Sequence, residues 1–468
     1  MLLALLACTS GGSGTLSILH INDLHGRVLP ERASWIGGEP AIGGLAAIDA
    51  RVRWRREQGP ALFLDAGDQL SGSPEALLEP QTIARLLGLM ELDAWTVGNH
   101  ELDGGWEAAQ AYVRDHPVPA LSANLEGGWT GLERSRVVER GGLRIGLIGG
   151  MTQALDRVVA RSKLGPARVT DLALAVAAEV ERLDPETDLL VAITHNGVEE
   201  DRLLAEAVPE LDLIVGGHSH TPVHEPVLVG QVLIVQAGCF GRSLGELDLT
   251  VQDDRVVAFE GRLVDLVEPV GQPSDLLVAE IAALAERVGA AWDAPIGTAS
   301  GRLGRSWSTP SDLGTWITEQ MLRDTGADVA LYNSGGLRAD LPAGAITRRD
   351  LFQVFPFGNT LTSFAISGSE LERLLRREGQ RPGDAGALQV SGAVWYVDED
   401  QVLVGGGAIE PRRDYRVVTN SFLVNQADSQ LYGARARDIE DHGKTVLELA
   451  VEVTSSASIR PPERHWLR

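Results

Sequence analysis

Residues 95–101 read Trp95-Thr96-Val97-Gly98-Asn99-His100-Glu101, a short apolar run that passes through a glycine into three polar side chains. Four more segments place His, Asp or Asn after an apolar run: Asp23-Leu24-His25, Gly67-Asp68, Thr194-His195-Asn196 and Gly217-His218-Ser219-His220. Together the five segments supply seven nitrogen or oxygen ligands and one spare histidine. Seven ligands suit two metal ions that share a bridging carboxylate, and such a pair is suited to phosphoester hydrolysis.

The first half of the chain alternates between strand-like and helix-like patterns. Short runs rich in Val, Ile and Leu predict buried strands at Leu16–Ile21, Leu62–Leu64, Trp95–Val97, Leu143–Ile148, Leu189–Ile193 and Leu213–Val215. Helical patterns such as Gly44–Glu57, Pro80–Leu89 and Asp171–Leu183 lie between several of them, which predicts an α/β fold with helices covering a sheet. Ligands in such folds bind beyond the carboxyl ends of the strands, so the five polar segments are expected to form one site.

Length and charge restrict the class of protein. A chain of 468 residues is expected to form two or three domains, and 44% hydrophobic residues are enough for a sizeable core. The net charge of −24 argues against non-specific binding to nucleic acid or to an anionic membrane, which needs a basic surface. An anionic substrate must therefore be attracted by local positive charge, such as metal ions and a few arginines.

The amino terminus has a pattern of its own. Leu5-Leu6-Ala7-Cys8 resembles the end of a bacterial lipoprotein signal, with Cys8 as the lipidated residue and Thr9–Gly14 as a flexible tether. This pattern predicts an exported protein, either periplasmic or anchored to a membrane through Cys8. The alternative is a short apolar start without a targeting role, because no basic residue precedes the apolar run. The second cysteine, Cys239, is expected to be a small buried apolar residue.

The ligand types limit the metal. Imidazole, carboxylate and carboxamide groups without thiolates suit two divalent ions of Mn, Zn, Co, Fe or Mg, and do not distinguish among them. One carboxylate has to bridge, because a shared anion offsets the repulsion between two dications. Asp68 is the natural bridge, since it lies in the middle of the set and follows a glycine that allows a tight turn.

The order D-x-H, G-D, G-N-H-E, H and G-H-x-H resembles the calcineurin-like metallophosphoesterases. The resemblance implies a four-layer α/β sandwich and two metal ions, with a metal-bound hydroxide attacking phosphorus in line. It also implies the ligand sets: Asp23, His25 and His220 on one ion, Asn99, His195 and His218 on the other, and Asp68 between them.

His100 directly follows a ligand residue and is expected to face the site without binding a metal. Asp103, three residues further on, can hold the imidazole ring and favour its charged form. The pair is expected to stabilise the transition state and to protonate the leaving oxygen, whereas the alternative for His100 is a purely hydrogen-bonding role. Asn124 also matches a family segment near the site.

The alternation of strand-like and helix-like patterns stops near residue 268, where the chain contains several Pro and Gly residues. Ser274-Asp275 predicts the start of a connecting helix that ends at Val288, with Gly289 as its stop. We therefore expect a signal remnant and tether at 1–14, a catalytic domain at 15–267, a connector at 268–295 and a second α/β domain at 296–468. Eight of the ten histidines precede residue 225, which assigns the metal chemistry to the first domain.

The second domain carries its own recognisable segments. Tyr332-Asn333-Ser334-Gly335-Gly336-Leu337-Arg338-Ala339-Asp340 and Pro356-Phe357-Gly358-Asn359 resemble the carboxyl-terminal domain of the bacterial 5′-nucleotidase/UDP-sugar hydrolase family. The Gly-Gly pair allows the backbone to approach a ligand closely, and a guanidinium fork suits phosphate oxygens. The residues expected to bind the substrate are Asn333, Gly335, Gly336, Arg338, Asn359 and Arg381. A surface or interdomain salt bridge is the alternative for Arg338, a turn cap is the alternative for Asn359, and Arg376 and Arg377 compete with Arg381.

The chain departs from the family where a nucleotide base would stack. The two ring positions of the family correspond to Ala387 and Gln430 here, unless a small shift brings in Tyr432. We therefore expect a hydrolase that releases phosphate from 5′-nucleotides or related phosphoesters. The alternatives are a relative that acts on a cyclic nucleotide, a nucleotide sugar or a sulfur-oxyanion ester, and a surface lipoprotein that binds a ligand without turnover.

Overall fold

The structure is a computed structural model that describes residues 12–33, 36–159, 161–267, 270–379, 387–425, 430–431 and 434–462. The described residues form two compact units. The first unit contains the described residues up to Ser71 and those from Glu75 to Arg287. The second unit contains Gly72–Pro74 and the described residues from Val288 onward.

Two β-sheets form the centre of the first unit. The seven-stranded sheet has the order Arg255–Asp265, Ser243–Gln252, Gly14–Ile21, Ala61–Asp65, Ala94–Thr96, Ala120–Leu121 and Leu132–Glu133, and its last five strands are parallel. The six-stranded sheet has the order Val227–Val229, Val232–Val235, Leu213–Gly216, Leu189–His195, Leu143–Met151 and Ser135–Arg140. Its four central strands are parallel, so their carboxyl ends lie at one edge.

The core of the first unit lies between the two sheets. Aliphatic side chains of both sheets, such as Ile18 and Leu64 on one and Ile145 and Val191 on the other, pack in a single buried cluster. A second cluster lies beneath the helices of the outer face of the six-stranded sheet. The helices of this unit are Leu45–Gln58, Pro80–Leu89, Trp106–Asp115, Leu172–Leu183 and Val198–Ala207. The predicted α/β fold is confirmed.

The second unit is built on a five-stranded sheet with the order Leu388–Ser391, Val329–Asn333, Asp414–Asn420, Thr360–Ser367 and Arg437–Thr445. Its main helices are Asp312–Thr325, Arg348–Val354, Gly368–Gly379 and Val446–Ser456. Smaller sheets pair Pro295–Ala299 with Gly344–Thr347, and Ala393–Tyr396 with Gln401–Val404 and Gly407–Ala408. Two apolar clusters provide the core of this unit.

Several shorter helices, turns and strand pairs lie between these elements. They are the helices Pro74–Leu78, Leu155–Val158, Arg161–Leu164 and Ser421–Asn425, the 3-10 turns His100–Leu102, Asp184–Glu186 and Ser334–Gly336, and the paired strands Glu31–Arg32 with Ala41–Ile42, Leu125–Glu126 with Arg168–Val169, and Gln430–Leu431 with Ala434–Arg435. Across the part of the chain described, no helix is both long and apolar enough to cross a bilayer.

The helix at the boundary differs from its predicted end. Asp275–Trp292 continues beyond Gly289, and the amide of Asp293 still donates a helical hydrogen bond to the carbonyl of Gly289 at 2.9 Å. The prediction that Gly289 stops this helix was therefore wrong, because the glycine is accommodated inside the last turn. The predicted domain limits themselves stay predictions.

Candidate metal centre

The seven predicted ligand residues lie at the carboxyl ends of five parallel strands. Asp23 and His25 follow Gly14–Ile21, and Asp68 follows Ala61–Asp65. The other four follow or end the next strands: Asn99, His195, His218 and His220. Because the parallel strands of each sheet end on the same side, the fold brings residues that are far apart in the chain into one group, in which all but His218 and His220 are buried.

One half of the group contains Asp23, His25 and His220. The imidazole nitrogens His25 Nε2 and His220 Nε2 are 3.1 Å apart. Asp23 Oδ1 lies 3.2 Å from His220 Nε2 and 3.8 Å from His25 Nε2. Two imidazole nitrogens and a carboxylate oxygen that converge at these distances form a three-ligand set for a cation.

The other half of the group surrounds Asp68. His195 Nε2 lies 3.1 Å from Asp68 Oδ2 and 3.2 Å from Asn99 Oδ1. The same carboxylate oxygen is 3.9 Å from His25 Nε2, so Asp68 faces both halves of the group. The ring of His218 packs edge-on against His195, with 5.0 Å between the ring centroids. The position of Asp68 agrees with a bridging role.

Support from the backbone sets the orientation of His195. Its Nδ1 donates to the carbonyl oxygen of Ala66 at 2.7 Å, which leaves Nε2 directed at Asp68 and Asn99. The carboxylate of Asp23 is held in a similar way through Oδ2, which accepts from the side chain of Asn22 at 2.7 Å and from the amide of His218 at 2.9 Å.

The surroundings of one buried oxygen, Asp23 Oδ1, show whether a cation fits these residues. Asp23 Oδ1 is buried, and no group in the described parts of the chain donates a hydrogen bond to it with good geometry. Burying a carboxylate oxygen without a hydrogen-bond donor destabilises the fold. A divalent cation would satisfy this oxygen, because carboxylate and imidazole groups together are common ligands of such ions. The residues present therefore fit a divalent metal.

Electrostatics also favour a bound cation. Burial alone would raise the pKa of Asp68, but the imidazoles of His195, His100 and His25 hold it well below its usual value. Burial lowers the pKa of His195, yet the Asp68 carboxylate raises it to about 10. The carboxylates of Asp23 and Asp68 are thus kept ionised by neighbouring imidazoles, and a bound cation would take over the positive charge that these rings supply when protonated.

Five of the seven predicted ligand residues have a left-handed backbone conformation. The φ angles are 50° for Asp23, 50° for His25, 57° for Asp68, 77° for His218 and 55° for His220. This region is unfavourable for residues with a Cβ atom, and such conformations concentrate at functional sites. The loops after the strands therefore adopt strained backbone conformations that direct these side chains toward one another.

Glu101 holds the loops of two ligands together, although the sequence analysis gave it no role. Its carboxylate accepts from the amides of Asp68 at 3.1 Å, Leu70 at 3.1 Å and Gly98 at 2.6 Å. Burial and the neighbouring Asp68 raise its pKa to about 7. Gly98 is needed where these loops meet, because a Cβ atom there would lie 2.2 Å from Asp68 Oδ1. Glu101 is the last residue of the G-N-H-E motif, so the sequence did contain a signal for this residue.

His100 and Asp103 are paired as predicted. His100 Nδ1 donates to Asp103 Oδ2 at 2.8 Å, and His100 Nε2 lies 3.9 Å from Asp68 Oδ2. The imidazole therefore presents its second nitrogen toward the carboxylates, with its ring fixed from behind by an acid. This arrangement suits a proton donor, and the catalytic role of the pair stays a prediction.

Two other residues near the site have structural contacts. Asn124 is fully buried and links three backbone groups, because its amide nitrogen donates to Met151 O and Thr170 O and its oxygen accepts from the Met151 amide. Cys239 is only half-buried, and its thiol lies within hydrogen-bonding reach of His220, so the description of this cysteine as a buried apolar residue was wrong.

Four of the predicted substrate residues of the second unit lie at or directly after one turn: Asn333, Gly335, Gly336 and Arg338. Asn333 ends the strand Val329–Asn333 and accepts from the side chain of Asn420 at 2.7 Å, while Gly335 and Gly336 form the following 3-10 turn. The guanidinium of Arg338 lies 5.7 Å from the ring of Phe357. Asn359 accepts from the amide of Val446 through its backbone. Arg381, Tyr432 and Cys8 lie outside the described residues, and so does the side chain of Gln430.

Two family profiles match the chain in succession. The calcineurin-like phosphoesterase profile matches residues 16–222, and the profile of the 5′-nucleotidase C-terminal domain matches residues 295–432. The chain belongs to the 5′-nucleotidase family, in which these two domains are joined.

Two relatives and a solved structure agree with the profiles. The chain is 31% identical to Protein 5NUC of Lutzomyia longipalpis, over 81% of this chain and 76% of that protein. It is 30% identical to an apyrase of Tabanus yao, over 88% and 86% of the two chains. The crystal structure of a 5′-nucleotidase precursor from Thermus thermophilus superposes with a TM-score of 0.86 at 26% identity, covering 97% of this chain and 99% of that one. The protein is a metal-dependent phosphoester hydrolase.

Proposed function

We propose that the protein releases phosphate from 5′-nucleotides or closely related phosphomonoesters. The observation that carries the proposal is the His100–Asp103 pair beside the buried carboxylates of Asp23 and Asp68. A binding protein would have no use for a histidine that is held by an acid and directed at the ligands. The names of the relatives supply the substrate class, because several are called 5′-nucleotidases.

The ligand assignment is part of this proposal. Two divalent ions would be held by the residues already described: Asp23, His25 and His220 for one, Asn99, His195 and His218 for the other, and Asp68 for both. When bound, such ions supply Lewis acidity and an activated nucleophile. His100 holds a proton at Nε2 and delivers it to the leaving oxygen, and Asp103 keeps the ring in position for that transfer.

In the second unit, we propose that Asn333, Arg338 and the Gly335-Gly336 turn bind the substrate. A guanidinium recognises phosphate oxygens, and the backbone of a Gly-Gly turn can approach a ligand closely. We extend the proposal to Asn359, and to Arg381 and Tyr432, on the sequence pattern alone.

The test is phosphate release across one panel with added Mn²⁺ or Co²⁺. The panel contains AMP, other nucleoside monophosphates, a 2′,3′-cyclic nucleotide, UDP-glucose and an aryl phosphate, with a phosphatase added for the cyclic nucleotide and the nucleotide sugar. Preference for nucleoside monophosphates is the expected result. Preference for the cyclic nucleotide or UDP-glucose would favour the alternative enzymes, and no release from any ester with metal bound would contradict hydrolysis.

We also propose that the protein is exported and carries a lipid on Cys8, on the strength of Leu5-Leu6-Ala7-Cys8. Labelling with a fatty acid in a bacterial host is expected to require Cys8. Equal labelling of wild type and Cys8→Ser, or none of either, would contradict the proposal.

A further inference from the structure

The second unit exposes an indole ring beside its glycine turn. Trp307 lies in the loop between Pro295–Ala299 and Asp312–Thr325, and 39% of its surface is exposed. A Cβ atom placed on Gly335 would lie 3.5 Å from Trp307 Cζ3, so the indole lies close to the backbone of the 3-10 turn. A large aromatic ring that is left partly in solvent offers a flat apolar surface to a ligand.

The loop that carries this indole is held by a buried glutamine. Gln389 Oε1 accepts from the Ser311 amide at 2.8 Å, and Gln389 Nε2 donates to Thr309 O at 3.0 Å and Ser334 Oγ at 2.8 Å. The backbone of Trp307 is itself fixed, because its carbonyl accepts from the amide of Ala387 at 3.3 Å. The ring is thus presented by a preorganised loop, which lowers the entropic cost of binding.

Ala387 lies in this same network. Its carbonyl accepts from the amide of Ser334 at 3.0 Å and from Ser334 Oγ at 2.7 Å, while its amide donates to the Trp307 loop. The methyl group of Ala387 offers no ring for stacking, but the structure places an aromatic residue of another segment next to it. The sequence could not indicate this neighbour, since 80 positions separate the two residues in the chain.

Positive charge is concentrated around the same ring. The guanidinium carbons of Arg305 and Arg338 lie over the Trp307 ring, 5.2 and 5.9 Å from its centroid, so a base would stack on the part of the ring that they leave open. In a chain with a net charge of −24, two arginines beside one exposed ring form a local site for an anion. A ligand that matches both features is planar and aromatic at one end and anionic at the other.

We propose that Trp307 is the surface on which the second unit stacks the base of a nucleoside phosphate, with Arg305 and Arg338 beside it for the anionic part. The inference rests on the proposed function, and it assigns to Trp307 the preference of the enzyme for substrates that carry a base. Trp307 supplies the aromatic ring that Ala387 lacks. Stacking tolerates any base, so the site would favour nucleotides over phosphate esters without a ring but would discriminate weakly among bases.

The experiment compares AMP with ribose 5-phosphate, which carries the same phosphoester without the base, in the full chain with Mn²⁺. Trp307→Ala is expected to lower kcat/KM for AMP about ten- to hundredfold and to leave ribose 5-phosphate within about twofold. Trp307→Phe should keep most of the preference, because it retains a ring. Phe259→Ala removes an exposed ring of the first unit and serves as the matched control.

Adenosine binding by calorimetry provides a readout that does not depend on turnover. Wild type and Trp307→Phe should bind adenosine, and Trp307→Ala should bind it at least about tenfold more weakly. An unchanged preference for AMP, equal losses on both substrates, or adenosine binding without Trp307 would overturn the inference. If wild type hydrolyses neither ester, the proposed function fails by itself, and adenosine binding alone then decides whether Trp307 stacks a base.

Discussion

At the scale of single residues, His100 is the side chain whose removal separates catalysis from binding. Replacing it with alanine deletes the proton donor but none of the seven proposed ligands. We expect kcat to fall about 10²- to 10⁴-fold, with the metal content of the purified protein unchanged by elemental analysis. His224→Ala, at an exposed histidine, is the matched control. Loss of metal together with activity would indicate that His100 is a ligand instead.

A second prediction concerns the acid sensitivity of folding. His116 is buried between Trp95 and Tyr112, and burial lowers its pKa to about 4 despite its hydrogen bond with Val118 O. The unfolded chain protonates this group near 6.5, so between pH 6.5 and 4 the unfolded state binds more protons. The stability contributed by neutral His116 is complete above pH 6.5 and is lost as the pH falls toward 4.

Urea unfolding between pH 7 and pH 5 measures this effect. His116→Gln removes the titrating group, so its free energy of unfolding should fall less than that of wild type, by about 2 kcal/mol at pH 5. His224→Gln, which changes an exposed ring, should behave like wild type. Parallel pH curves for wild type and His116→Gln would show that His116 is not responsible.

His20 shows why some buried histidines escape sequence reasoning. It lies on the strand Gly14–Ile21 opposite Gly245, and a Cβ atom on Gly245 would lie 1.9 Å from His20 Nε2. Burial lowers the pKa of His20 to about 3. The sequence pointed to the seven proposed ligands because each follows or ends a strand in a local motif. It gave no role to His20, Glu101 or Trp307, since their contacts come from distant segments.

At the scale of elements, the side chain of Gln389 connects a strand, a loop and a turn of the second unit. It lies on the strand Leu388–Ser391 and binds both the loop before the helix Asp312–Thr325 and the turn Ser334–Gly336. Gln389→Leu leaves buried polar groups of both partners unsatisfied, so we expect a loss of at least about 2 kcal/mol in urea unfolding. Gln401→Leu, on an exposed strand position, should cost far less. Equal losses for the two variants would contradict a special role for Gln389.

The positions of the elements were more predictable than their ends. Pro80–Leu89 has its predicted bounds, and Asp171 caps Leu172–Leu183 by accepting from the amide of Leu174. Hydrophobic periodicity located these elements, since the period depends on local sequence. A glycine is a weaker guide to an end, because a helix can continue through Gly289 when its neighbours still form the hydrogen bonds. The division of the strands between the two sheets, and their order within each sheet, could be seen only in the structure.

At the scale of the whole molecule, the metals should link activity to stability. Ligands that bind the folded state and not the unfolded state stabilise it, by about 3 kcal/mol at a hundredfold excess over Kd. Treatment with EDTA is therefore expected to abolish phosphate release and to lower the melting temperature of the first unit by calorimetry, and added Mn²⁺ should restore both. Identical melting curves with and without the chelator would contradict metal binding at the buried group.

The left-handed backbone at Asp23, His25, Asp68, His218 and His220 also has an evolutionary consequence. Glycine at any of these five positions would relax the chain while it erased a ligand, and each relaxed residue is worth about 1 kcal/mol or more. In the absence of bound metal, selection for thermal stability alone would therefore favour glycine at these positions and the loss of hydrolysis. Directed evolution of the metal-free protein toward heat resistance therefore needs a screen for turnover with added metal in every round, because at these positions the most stable variants would be inactive.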